Sequence, residues 1–93
     1  MAKSVPRSFN EVGQNMYYVY LLKLSNDEVY TGSTRNLKTR IIDHQEGKNI
    51  STKPFRPIKL IYYCAFLNKA QALQFELYLK SGSGKAFRNR HLA

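Results

Sequence analysis

Tyr17-Tyr18-Val19-Tyr20-Leu21-Leu22, the polar residues Ser25-Asn26-Asp27 and then Val29-Tyr30-Thr31-Gly32 read as two strands of a β-hairpin joined by a short turn. The parity of the loop decides which side chains share a face. A three-residue loop puts Tyr20 and Tyr30 together, whereas a two-residue loop puts them on opposite faces. The odd loop is favoured here, with Tyr18, Tyr20 and Tyr30 on one face and Val19, Leu21, Val29 and Thr31 on the other, packed against helices. Tyr30 precedes a Thr-Gly step where backbone can be approached closely, so its hydroxyl can face a ligand as well as a core.

Working outward, Ser33 and Thr34 are placed to cap a helix over about residues 36 to 46, ended by Gly47, with Leu37, Ile41 and His44 as its inward stripe. Arg40 lies one turn before His44 and borders that stripe. Lys48 to Pro57 is polar and broken by Pro54 and Pro57, hence a loop. Lys59 to Phe66 is apolar enough to predict a strand buried on both faces and central in the sheet. Asn68 caps a helix over 69 to 80, with Leu73, Leu77 and Lys80 along one line and Glu76 beside it. Ser81-Gly82-Ser83-Gly84 ends that helix, and Lys85 to Leu92 predicts a last short basic helix. Residues 1 to 15 lack a period and read as a flexible tail, leaving 16 to 93 as one domain. The order ββαβα, with an extra C-terminal helix, predicts an α+β fold: a small three-stranded antiparallel sheet flanked by helices.

The 93 residues carry 15 Lys or Arg against 6 Asp or Glu, a formal net charge of +9. Such an excess points to a polyanionic partner, nucleic acid or an anionic membrane surface. No apolar stretch reaches the length of a membrane span and no apolar leader block precedes the domain, so a cytoplasmic protein without a membrane partner is expected. Cys64, the one cysteine, excludes an internal disulfide and a thiolate metal cluster, and reads as a small strand filler. After Gly47 the chain has nine Lys or Arg residues and a single acid, Glu76.

That isolated acid is the sharpest chemical candidate. One carboxylate in a positive field can hold a hard divalent ion, with waters and a phosphate oxygen completing the shell. The bland alternative is a helical ion pair with Lys80, four residues on. Arg40 can neutralise charge on a phosphoryl oxygen or stand as a solvated helix arginine. His44 can pass a proton, since a histidine ordinarily titrates near 6.5, or be a satisfied semi-buried residue. A tyrosine, ordinarily near 10, is a poor base unless a cation stabilises its phenolate.

Taken together, the hairpin tyrosines, Tyr30-Thr31-Gly32, Arg40, His44 and the isolated helical Glu76 resemble the GIY-YIG nuclease family over about residues 17 to 92. The segments Thr31-Gly32-Ser33-Thr34, Asp43-His44-Gln45-Glu46-Gly47 and Tyr78-Leu79-Lys80-Ser81-Gly82 are similar to its small stand-alone bacterial members. The resemblance implies Tyr20 and Tyr30 as the two motif tyrosines, with Tyr30 the general base. It implies Arg40 as the phosphate-contacting arginine, His44 as an accessory group, Glu76 as ligand to one Mg²⁺ or Mn²⁺, and Asn89 as an asparagine near the domain end. Tyr18 departs from the first motif glycine, and Ser33 stands where some relatives carry lysine. The activity implied is metal-dependent phosphodiester hydrolysis in DNA, with RNA left open, of low sequence specificity and selective for structure or damage, as in repair or recombination. Arg35, Lys53, Arg56, Lys85, Arg88 and Arg90 are then cations that track the strand, and a protein partner is a further source of specificity. Two rival readings stay open, a non-catalytic nucleic-acid-binding module and a domain that docks on acidic proteins.

Overall fold

The computed structural model describes residues 16–92, so the expected tail over 1–15 lies outside the described residues. Strands β1 (Tyr17–Lys23), β2 (Val29–Thr34) and β3 (Lys59–Phe66) form one antiparallel sheet in the order β2-β1-β3. Helices α1 (Leu37–Gln45), α2 (Lys69–Lys80) and α3 (Gly82–His91) complete the α+β architecture, with a short 3-10 turn at Lys53–Phe55 inside the basic loop.

The hairpin has the odd loop. Leu24 N–H bonds Glu28 C=O at 2.9 Å and Asp27 N–H bonds Leu24 C=O at 3.0 Å, leaving Ser25, Asn26 and Asp27 to turn the chain. Asp27 supplies the left-handed residue at φ 68° that this loop length requires. Tyr20 therefore pairs with Gly32 and Leu22 with Tyr30, which puts Tyr18, Tyr20 and Tyr30 on one face and Val19, Leu21, Thr31 and Ser33 on the other.

Each face has its own core. Tyr20, Leu22, Leu24 and Ile58 pack with Tyr30, Leu37, Ile41, Phe55 and Leu60 under α1. Val19, Leu21, Ala72 and Leu79 pack with Phe75, Ile61, Tyr62, Cys64 and Phe66 under α2, and Leu92 joins them from beyond α3. The sheet is thus a middle layer between helices. Truncating a fully buried member such as Leu21 to alanine costs about 2–5 kcal/mol.

Four expectations are corrected. β1, not β3, is the central strand: Val19 to Leu22 are completely buried, whereas β3 lies at an edge with Tyr63 54% exposed. The apolar run packs on both faces only at its start, where Leu60 meets the α1 core and Ile61 the α2 core; farther along, Cys64 and Phe66 face the helices and Tyr63 faces out. The cap of α1 is Asn36, whose Oδ1 accepts from Thr39 N–H at 3.1 Å, because Ser33 and Thr34 are still in β2. Helix α2 is rotated from the expected stripe, with Ala72 and Leu79 buried and Leu73 and Leu77 exposed. Small Ala72 takes the close approach to the sheet, and the two leucines are left outside.

Helix α3 begins at Gly82, three residues earlier than expected. Ser81 serves both helices: its Oγ donates to Tyr78 C=O at 2.6 Å and accepts from Gly84 N–H at 3.1 Å. A Cβ on Gly84 would collide with the Tyr78 carbonyl, so the corner closes only around glycine.

Candidate nuclease site

The polar chemistry gathers at the edge strand β2, where Gly32 faces α1 and Ser33 faces α2. On the α1 side, Tyr20 and His44 are both completely buried, and the Tyr20 hydroxyl lies 2.9 Å from His44 Nε2. His44 Nδ1 lies 2.7 Å from Thr52 Oγ1, and Thr52 is also completely buried. The three form one hydrogen-bonded chain, hydroxyl to imidazole to hydroxyl. Tyr30 completes the cluster, its ring centroid 6.3 Å from that of Tyr20 and 5.1 Å from that of His44.

Electrostatics in this cluster favour neutral groups. Burial, together with Tyr30 and the Glu76 carboxylate, pushes the Tyr20 hydroxyl up to about 12, against an opposing pull from the Arg40 guanidinium beside it. Burial, reinforced by Arg40, lowers His44 below its ordinary value, and Asp43 counters this in part. A neutral imidazole accepts on one nitrogen and donates on the other, which satisfies both hydroxyl partners.

Gly32 explains how the buried phenol reaches the edge of the sheet. A Cβ at this position would stand 2.5 Å from the Tyr20 hydroxyl, so the ring lies across a backbone that must carry no side chain. The same placement brings the hydroxyl within electrostatic range of Glu76, which approaches β2 from the opposite face.

On that opposite side, Glu76 Oε1 accepts a 2.7 Å hydrogen bond from Ser33 Oγ and Oε2 pairs with Lys80 Nζ at 2.8 Å. The Glu76 side chain keeps 15% exposure and Lys80 keeps 49%. One carboxylate and one hydroxyl oxygen lie together in a partly open place, oxygen donors of the kind a hard divalent cation takes. The ammonium of Lys80, on a half-exposed side chain, occupies part of that place. Among the described residues no cluster of three or more His, Cys, Asp or Glu exists that could hold a metal by itself.

The five residues expected to act are therefore brought to one strand edge but not to one surface. Tyr30 and Arg40 are half-buried and Glu76 is partly open, whereas Tyr20 and His44 have no exposure with which to touch phosphate.

The expected strand-tracking cations are scattered in role. Lys53, Lys85, Asn89 and Arg90 are exposed, and Arg35 is exposed with its guanidinium 5.3 Å from the Tyr17 ring centre. Arg56 is exposed but tied to the loop, its Nε donating to Lys53 C=O at 3.1 Å and Nη1 to Gln45 C=O at 3.4 Å. Arg88 is the exception: it is 8% exposed and donates to Thr31 Oγ1 at 3.3 Å, so it braces α3 against β2. Sequence reasoning missed Thr52 and the Ser33 contact. Thr52 reads as one polar residue in a polar loop, and Ser33 reaches a partner 43 residues away.

A family model described as the GIY-YIG catalytic domain matches residues 16–90. The chain belongs to the GIY-YIG family, a nuclease family whose substrate is nucleic acid. It is similar to a UPF0213 protein of Clostridium perfringens, with 41% identity over 78 residues, 83% of this chain and 80% of the relative. A UPF0213 protein of Staphylococcus haemolyticus is 38% identical over 68 residues, covering 72% of this chain and 83% of the relative. The solution NMR structure of a UPF0213 protein from Bacillus halodurans superposes with a TM-score of 0.51 at 32% identity, over 77% of this chain and 80% of that one. No helix among the described residues is long and apolar enough to cross a membrane.

Proposed function

We propose that this protein is a divalent-metal-dependent endonuclease that hydrolyses phosphodiester bonds in DNA with low sequence specificity, selecting substrates by structure or damage. The observation that supports this reading is the gathering at strand β2 of Tyr30 and Arg40 by the buried Tyr20–His44–Thr52 chain on one face, with Glu76 held to Ser33 on the other. Tyr30 accepts the proton of the attacking water as general base. Water oxygen bonds to phosphorus as the bond to the leaving oxygen breaks, and that oxygen takes up a proton from solvent. Arg40 offsets the negative charge that grows on the phosphoryl oxygens. Tyr20 and His44 hold Tyr30 and Arg40 in place. Glu76 would hold Mg²⁺ or Mn²⁺, which would supply Lewis-acid stabilisation of phosphoryl charge. Lys53, Lys85, Arg90 and Arg35 add salt-sensitive affinity without sequence readout.

The test is cleavage of linear, nicked and branched DNA with and without Mg²⁺. Wild type cuts in the presence of metal, and Tyr30→Phe and Glu76→Ala each cut about 10²–10⁴-fold more slowly. Equal activity in all three proteins would overturn the reading.

The pairing of both Glu76 oxygens with Ser33 and Lys80 supports a second reading, a binding module without catalysis that retains the fold and charge. It predicts salt-sensitive nucleic-acid binding indifferent to metal, and cleavage enhanced by metal would end it.

A further inference from the structure

The sheet face that carries Tyr20 has a covered half and an open half. Toward the hairpin turn, Leu37, Ile41 and His44 of α1 cover Tyr20, Leu22, Leu24 and Tyr30. Away from the turn, Tyr18 and Tyr63 stand side by side with ring centroids 6.1 Å apart and planes inclined at 60°. Register explains the opening. Tyr18 is flanked across the sheet by Thr34 and Ala65, both too short to cover an aromatic ring, and Tyr63 lies directly opposite Tyr20 on the edge strand. Tyr63 is 54% exposed, Ala65 is exposed and Tyr18 is half-buried.

A single exposed tyrosine on an edge strand is an ordinary product of β-propensity. Two adjacent rings are a different matter when they continue, residue by residue, into the row Tyr63–Tyr20–Gly32 that leads to the candidate site. We propose that Tyr18 and Tyr63 form a stacking platform for unpaired nucleobases, so that the substrate is single-stranded or carries an unpaired segment next to the scissile phosphate. This rests on the nuclease reading given above. A base in a duplex has both faces covered by its neighbours, whereas an unpaired base offers a π-face that a tyrosine ring standing on a sheet can take. The net charge of +9 supplies the attraction for the strand's phosphates, and the Arg40 guanidinium lies beside Tyr20 in this row. The platform also gives a purpose to the first motif position, where tyrosine replaces the family's glycine.

The experiment is fluorescence titration of a Glu76→Ala background, without metal, against one oligonucleotide presented as a single strand and as a duplex of equal length, with 2-aminopurine as the reporting base. The Tyr18→Leu/Tyr63→Leu pair is expected to weaken single-strand binding about ten-fold and to abolish the quenching, while duplex affinity changes less than about two-fold. Phenylalanine at both positions retains binding, because the ring and not the hydroxyl is used. Should the double variant fail to fold, Tyr63→Leu at its exposed site carries the test with about half the logarithmic effect. Unchanged affinity, equal loss for both substrates, phenylalanine variants as weak as leucine, or no binding of any strand would overturn the platform. Wild-type cleavage that still depends on Tyr30 and Glu76 would leave the nuclease reading standing on its own.

Discussion

The two sides of strand β2 carry opposite kinds of polar chemistry. On the Gly32 side, Tyr20, His44 and Thr52 are sealed from solvent and hydrogen-bonded end to end. On the Ser33 side, Glu76 is partly open and shares its charge with Ser33 and the half-exposed Lys80. The sealed side cannot exchange partners without leaving a buried donor or acceptor unpaired, which costs about 1–3 kcal/mol per group. The open side can, since water or a cation can replace an ammonium there. On the nuclease reading proposed above, the sealed side would hold directed groups still while the open side exchanges its partner.

The comparison breaks most severely at the residue the two sides share. Gly32→Ala drives a methyl into the Tyr20 hydroxyl, and a completely buried ring has nowhere to go without leaving His44. A stability loss of about 1–3 kcal/mol is expected by urea unfolding, together with loss of any cleavage. An unchanged midpoint would show that Tyr20 does not depend on the missing side chain.

Thr52→Val tests the sealed side alone. It keeps shape and removes the partner of His44 Nδ1, so a loss of about 1–3 kcal/mol is expected, with metal affinity unaltered. A neutral result would mean that water or another group satisfies the imidazole.

Lys80→Met tests the open side alone. Removing the ammonium from Glu76 is expected to strengthen Mn²⁺ binding several-fold in calorimetry. Weaker Mn²⁺ binding would count against Glu76 as the metal ligand.

The smallest effect is on pH dependence. His44 is lowered in the folded protein, so the unfolded chain binds the proton first as pH falls. The stability that depends on the neutral ring is intact above the unfolded value near 6.5 and declines below it. Tyr20 has the opposite sense: its contribution holds below pH 10 and is lost as pH rises from there toward about 12. Unfolding midpoints measured from pH 5 to 7 should slope less in His44→Gln than in wild type, and equal slopes would remove the buried imidazole as the cause.

Much of this molecule follows from interactions between near neighbours in the chain. Loop parity set the faces of Tyr20 and Tyr30, because side chains alternate strictly along a strand. Asn68 and Gly47 mark helix ends through contacts within one turn, and the isolated Glu76 stood out against nine cations by composition alone. What the tertiary structure decided lies in contacts that span many residues or depend on a rotation. The rotation of α2 chose Ala72 over Leu73 for the core, and the edge position of β3 left Tyr63 in solvent. Packing buried Arg88 and seated Thr52 on His44, and it carried Ser33 to a carboxylate 43 residues distant. Such choices turn on which of several similar surfaces fits, and fit is a property of the assembled layers, to which no single segment has access.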